Sequence, residues 1–178
     1  MAKLPGRAPL RIAVDTNYLL DCYDGDETAV GAWETIMERA AAPTWIIPPT
    51  AGQELLSLAR KAPTNSARRR FINAAQDAVS RRKFQPIPLA AVAHGIADRI
   101  SVELRKCGLL PKAERNDSLI LAESVILECP ILITKDAHLL GADPAQVKHL
   151  LLRFDVTPTL ILHPATVIKT WKEMVRRH

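Results

Sequence analysis

Four acidic residues in this sequence, Asp15, Glu54, Asp117 and Asp136, stand where a parallel α/β sheet would gather them at one edge. Asp15 follows the run Arg11-Ile-Ala-Val and opens a helix-compatible segment, Thr16-Asn-Tyr-Leu-Leu. Asp136 follows another strand-like run, Ile131-Leu-Ile-Thr-Lys, while Glu54 and Asp117 fall at or near the starts of two helical stretches. In open α/β sheets, sites form where the carboxyl ends of strands meet helix N-termini. Carboxylates crowded there repel one another unless something positive holds them together. A hard divalent cation bound through oxygen, Mg²⁺ or Mn²⁺, answers that need. The chemistry implied is metal-dependent hydrolysis of a phosphodiester. Each acid also has a plainer role, since Asp15, Asp117 and Asp136 could cap helices. Asn116 competes with Asp117 for its cap, and Glu54 could be an exposed helix residue. Two Asp residues directly after strand-like runs plus two acids at helix starts make the joint pattern more informative than its members.

The elements that must carry these acids can be read from periodicity. Strands are expected at 11–14, 44–47, 84–89, 131–134 and 159–162. Pro86 and Pro88 place the third strand at an edge. Helices are expected over 28–42, 53–61, from about 66 to 83, 90–107 (ended by Gly108), 118–128, 144–152 and 164–177. Strands alternating with helices imply a parallel sheet covered on both faces. No repeat, low-complexity tract or linker interrupts the chain, so residues 1–178 read as a single domain, with a core at about 11–165 and a C-terminal helix at about 164–177.

Composition is consistent with this. The 178 residues are 48% hydrophobic, which argues against disorder, and only 4% aromatic, which weakens recognition of bases by stacking platforms. No apolar run approaches the length of a membrane span, and the first ten residues do not read as a signal peptide. The odd, widely spaced Cys22, Cys107 and Cys129 suit a reducing compartment better than a zinc site or a disulfide framework, which makes the cytoplasm the expected location.

The formal charge of +5 favours polyanionic partners, and its distribution says more. Arg60, Lys61, Arg68, Arg69, Arg70, Arg81, Arg82 and Lys83 crowd one stretch in which Asp77 is the sole acid. Of these, Arg68, Arg69, Arg70, Arg81, Arg82 and Lys83 are the candidate nucleic-acid contacts. They form either a phosphate-tracking surface beside the acidic centre or a solvated helix face.

Four short motifs in order carry a resemblance. Ala13-Val-Asp-Thr-Asn, followed by Leu19-Leu-Asp, resembles the opening motif of PIN-domain nucleases. Ile46-Ile-Pro-Pro-Thr-Ala-Gly-Gln-Glu-Leu-Leu resembles the second motif, Asn116-Asp-Ser-Leu-Ile-Leu-Ala the third, and Leu132-Ile-Thr-Lys-Asp-Ala-His-Leu the fourth. The resemblance spans roughly residues 11 to 165, with a longer stretch between Glu54 and Asp117 than in the compact members. It implies a three-layer fold with a five-stranded parallel sheet in the order 3-2-1-4-5 and one or two Mg²⁺ or Mn²⁺ ions. It also implies cleavage of single-stranded RNA, as by the toxins of VapBC toxin–antitoxin pairs, and often a two-fold homodimer. Trp33, Ile36, Met37, Trp171 and Met174 are the apolar residues available for such a dimer.

On this reading Asp15, Asp117 and Asp136 are metal ligands, with Glu54 bound directly or through water. Thr16, Asn17, Asn116 and Thr134 are expected to orient the carboxylates, Thr134 foremost because it matches the small hydroxyl residue of the fourth motif. Lys135 and His138 read as a solvated lysine and a partly exposed histidine. The sequence offers no Ser-His-Asp order, phosphate-binding glycine loop or Gly-x-Gly-x-x-Gly to support another mechanism. The leading expectation is a metal-dependent endoribonuclease, a toxin restrained by an antitoxin. The alternatives are a non-catalytic RNA-binding or assembly module of the same fold and a nuclease that prefers DNA.

Overall fold

Ile12, Ala13 and Val14 have no exposed surface, and they make β1 (Arg11–Val14) the central strand of a sheet buried on both faces. The computed structural model describes residues 9–40 and 42–176, with side chains described through Thr170. β1 pairs in parallel with β2 (Thr44–Ile47) on one side and β4 (Ile131–Ile133) on the other, so that Ile12 lies opposite both Trp45 and Ile131. β3 (Gln85–Pro86) and β5 (Leu160–Leu162) form the edges, giving the all-parallel order β3-β2-β1-β4-β5 expected above. β3 is two residues long rather than six. Prolines 86 and 88 cannot donate to a ladder, so pairing stops where it begins.

Helices cover both faces. α1 (Thr16–Asp24) ends at Gly25, whose φ of 78° is left-handed and open to glycine without strain. α2 (Glu27–Arg39) packs against α9 (Pro164–Arg176), and α5 (Ala91–Lys106) lies along α6 (Arg115–Ile126). α7 (Ala137–Gly141) and α8 (Pro144–Leu152) complete the β4–β5 crossover. Beneath α1 and α2, Trp45 stacks between Tyr18 and Phe84 at ring-centroid distances of 6.0 and 5.1 Å. The Tyr18 hydroxyl donates to the Ala29 carbonyl at 2.9 Å, which satisfies the polar end of a fully buried ring.

Three boundaries differ from the sequence reading, each for a local reason. α3 (Pro49–Lys61) starts four residues early, because Pro49 is preorganised for the first helical turn, and Glu54 therefore lies in the second turn. α6 starts at Arg115, three residues before the expected Ser118, so Asp117 is inside the first turn and does not cap it. The helix expected to run to residue 83 ends as α4 (Asn65–Gln76) and widens into a π-helical turn, Asp77–Arg81. Arg82, which follows that turn, is buried: it pairs with Asp77 at 2.8 Å, donates to the Cys22 carbonyl at 2.7 Å and covers the Trp33 ring at 5.0 Å.

The apolar group nominated for a dimer is largely spent internally. Ile36 is fully buried, Trp33 packs on the core beneath Arg82, and Met37 is 44% exposed. The side chains of Trp171 and Met174 lie outside the described residues. No helix among the described residues is long and apolar enough to cross a membrane.

Candidate active site

Asp15 directly follows β1, where the strand hands over to α1. Its Oδ1 accepts the Tyr18 N–H at 2.7 Å and caps the helix, so the plainer reading of this residue is true as far as it goes. Its Oδ2 accepts from the Thr134 hydroxyl at the end of the neighbouring strand β4. The Asp136 N–H donates in turn to Thr134 Oγ1 at 2.8 Å, and Asp136 caps α7 through the N–H groups of His138 and Leu139. One buried threonine therefore links the two aspartates that follow β1 and β4.

The other two acids approach from the helices. The Thr16 hydroxyl donates to Glu54 Oε2 at 2.6 Å, and the Asn116 side-chain amide donates to Glu54 Oε1 at 3.3 Å. These bonds tie α3 to the first turn of α1 and the first turn of α6. Asp117, on that same turn, is partly buried. Asn17 is exposed on the first turn of α1.

Burial, and to a lesser degree neighbouring acids, acts on two of the four carboxylates. Burial pushes the Asp15 carboxyl up to about 7, against hydrogen bonds from Thr134 and Tyr18 that favour its charged form, with Asp136 and Asp21 adding repulsion. Asp117 is also pushed up to about 7, first by burial and then by Asp136, Glu114 and Glu54. Among the described residues, none of Asp15, Glu54, Asp117 and Asp136 has a Lys, Arg or His partner within 4.0 Å. The acids around them do: Asp21 and Asp26 share Lys135 at 3.1 and 2.7 Å, and Asp24 holds Arg70. Hydrogen bonds thus join Asp15 to Asp136 through Thr134 and hold Glu54 to α1 and α6, and none of the four acids has a counter-charge within 4.0 Å among the described residues.

Among the described residues, no group of three or more His, Cys, Asp or Glu side chains is arranged to hold a metal ion. The fit to a divalent cation therefore rests on donor chemistry. Hard carboxylate oxygens, uncompensated and partly desolvated, are what Mg²⁺ and Mn²⁺ take as ligands. A bound cation would also offset the burial that raises Asp15 and Asp117 and the lesser repulsion from their acidic neighbours.

Three acids near this site were not singled out from sequence. Asp21 stands within the first motif and feeds charge to Asp15. Glu114 stands beside Asp117 and 3.6 Å from His138 Nε2. Glu123 is 2% exposed and accepts both the N–H and the hydroxyl of Thr50, at 2.8 and 2.7 Å, which fixes the start of α3. Its signal was an acid inside the otherwise apolar run Leu119-Ile-Leu-Ala-Glu-Ser-Val-Ile. Lys135, expected to be solvated, is half-buried and bridges two acids; His138 is exposed as expected.

The basic stretch is not one surface. Arg82 is a buried strut, Arg81 faces Asp77 at 3.6 Å, and Lys83 donates to the Ser80 carbonyl. Arg70 is fixed to Asp24 at the end of α1 remote from Asp15, while Arg68 and Arg69 are exposed on the same helix. A nine-residue helix separates its ends by about 13 Å.

No protein-family model matches the chain, and no curated protein matches its sequence. Solved structures match its fold. A chain of VapBC2 from Rickettsia felis, crystallised with a DNA fragment from the promoter, aligns with a TM-score of 0.59 at 15% identity, covering 86% of this chain and 98% of that one. A chain of VapBC-5 from Mycobacterium tuberculosis, a member of the VapBC family of toxin–antitoxin systems, aligns with a TM-score of 0.52 at 19% identity, covering 77% and 94%. At these identities the likeness establishes the fold, which agrees with the architecture implied by the four motifs.

Proposed function

We propose that this chain is a metal-dependent endoribonuclease that hydrolyses phosphodiester bonds in single-stranded RNA, with Asp15, Glu54, Asp117 and Asp136 as its working acids. The observation that carries this reading is the uncompensated carboxylate set. Asp15 and Asp136 are joined through Thr134, and Glu54 is held by Thr16 and Asn116. Neither these acids nor Asp117 has a cation within 4.0 Å among the described residues, whereas Asp21, Asp24 and Asp26 each have one. A protein gains nothing in stability from such an arrangement. It suits a site that awaits a cation.

Asp15, Asp117 and Asp136 would hold Mg²⁺ or Mn²⁺, with Glu54 directly or through water. The ion would supply charge neutralisation and Lewis acidity at the phosphoryl group and make the attacking water more acidic. Thr134 orients Asp15, and Thr16 and Asn116 orient Glu54, so each carboxylate presents a fixed lone pair.

The fold shared with VapBC chains extends the reading to a toxin restrained by an antitoxin protein, and to the homodimer that the resemblance implies. The test is cleavage. Parent protein, Asp15→Asn and Asp117→Asn are incubated with single-stranded RNA and DNA in Mn²⁺ or EDTA. Metal-dependent RNA cleavage by the parent alone is expected. Equal cleavage by all three proteins would remove the assignment, and preference for DNA would redirect it.

A further inference from the structure

A cleft away from the basic stretch at 60–83 brings a second set of cations together. It is a groove of about 910 Å³ along the C-terminal half of α5, walled by the first residue of α6 and the residues that follow α8. Its cations are Arg99, Arg105, Lys106, Arg115 and Arg153. Two acids oppose them, and one of these, Glu103, is paired with Lys106 at 3.2 Å; the other is Asp98.

Arg99, Arg115 and Arg153 have no carboxylate within 4.0 Å among the described residues. Arg105 bonds the carbonyls of Ser101 and Lys112, which fixes its direction without cancelling its charge. This contrasts with Arg70 and Arg82, which are spent on Asp24 and Asp77. Four guanidinium groups in one groove suit phosphate oxygens, which they bind through planar, paired donors. Phe154, partly buried against the core, adds an aromatic ring to the wall.

Position connects this groove to the acids. Arg115 opens α6 and Asp117 follows two residues later, so their side chains diverge from one helical turn, one into the groove and one towards the carboxylates. A strand whose scissile phosphate lies at Asp117 needs to pass over the first turn of α6, the positive end of the helix dipole, to enter the groove.

We propose that the α5–α6–α8 groove, through Arg99, Arg115 and Arg153, binds the phosphate backbone of the single-stranded nucleic acid cut at the acidic centre. This rests on the nuclease reading above and replaces the 60–83 stretch as the backbone track. The test is fluorescence anisotropy of a labelled single-stranded oligoribonucleotide in EDTA, where cleavage does not interfere, over a series of salt concentrations. Because each phosphate contact on a single strand contributes about 0.7 to the salt slope, the R99A/R115A/R153A variant should flatten the slope by about two and bind at least about tenfold more weakly. R68A/R69A should keep the parent's slope. Should the triple variant melt below the parent, the single variants R99A and R153A serve, each flattening the slope by about 0.7.

Parent-like binding by the cleft variants, or an equal loss in R68A/R69A, overturns the track, as does failure of the parent to bind the oligonucleotide. Cleavage of the same RNA in Mn²⁺ is scored separately. A parent that binds through the groove but never cleaves refutes the nuclease reading and leaves the track standing. A parent that cleaves while the cleft variants bind normally refutes the track alone.

Discussion

Thr134 Oγ1 donates to Asp15 Oδ2 and accepts from the Asp136 N–H, so a single buried hydroxyl sets the relation between the two strand-end aspartates. Thr134→Ala removes the donor and leaves an Asp15 oxygen both desolvated and free to turn. Losing an orienting partner of this kind typically costs about 10–100-fold in metal affinity. We expect a loss in that range for Mn²⁺ by calorimetric titration, with Thr134→Ser close to the parent. Unchanged affinity in the alanine variant would mean that Thr134 serves the strand junction alone.

Metal should stabilise the fold by mass action, because only the folded chain assembles the four carboxylates. At a free-ion concentration about one hundred times Kd the gain is about 2.7 kcal/mol. Thermal melts in millimolar Mn²⁺ or Mg²⁺ are expected to shift upward for the parent and much less for Asp15→Asn. A parent melt indifferent to both ions would count heavily against the site.

Arg82 illustrates how a charge count misleads. Read from sequence, it belongs with its neighbours in a polyanion-binding run; in the fold it is 8% exposed and committed to Asp77, Cys22 and Trp33. Removing one partner of a buried pair strands the other, so Arg82→Ala should lower stability by about 3 kcal/mol in urea unfolding. Arg68→Ala and Arg69→Ala, on an exposed face, should stay within about 0.5 kcal/mol of the parent.

What could be read from sequence and what could not divide along physical lines. β1 and β4 each carry a short apolar run followed by an acid, and a strand buried on both faces has to look like that. The strand order came from the motif resemblance. The extent of β3 was missed because its length depends on which N–H groups Pro86 and Pro88 lack, and the helix break at Asp77 because Arg82 reaches a partner sixty residues away in sequence. The groove at Arg99, Arg115 and Arg153 was invisible for the same reason: its cations come from three helical regions and never form a run. Linear crowding at 60–83 does not distinguish Arg70 and Arg82, which are paired with Asp24 and Asp77, from Arg68 and Arg69, which are exposed.

Glu123 holds the start of α3 through both donors of Thr50, and α3 carries Glu54 one turn further on. An amide in its place can accept the Thr50 N–H and donate its own N–H to Thr50 Oγ1. Glu123→Gln therefore keeps both bonds, at a cost below about 1 kcal/mol, and isolates the effect of the charge. Burial raises the Glu123 pKa above the ordinary 4.5, against the lowering by Thr50. A carboxyl raised on folding binds protons more tightly in the native state. Its contribution is therefore full below about 4.5 and is lost as pH rises through the raised value. The stability of the parent relative to Glu123→Gln, followed by urea unfolding across that range, should fall as pH rises. A difference independent of pH would show that Glu123 titrates alike in both states.

Asp117→Asn separates architecture from chemistry. Asp117 is the third residue of α6, with Glu114 at the cap position, so its charge is not needed to close the helix end. Burial above all, and then repulsion by Asp136, Glu114 and Glu54, raises its carboxyl to about 7. Replacing it with a neutral isostere relieves that repulsion; the helix dipole gives back at most about 1 kcal/mol. Without metal, the variant should melt at or above the parent temperature. In Mn²⁺ its upward shift should be smaller, and cleavage of single-stranded RNA should fall by orders of magnitude in a protein that is at least as stable. Lower stability with unchanged cleavage would invert both expectations, making Asp117 part of the scaffold and placing the working acids elsewhere.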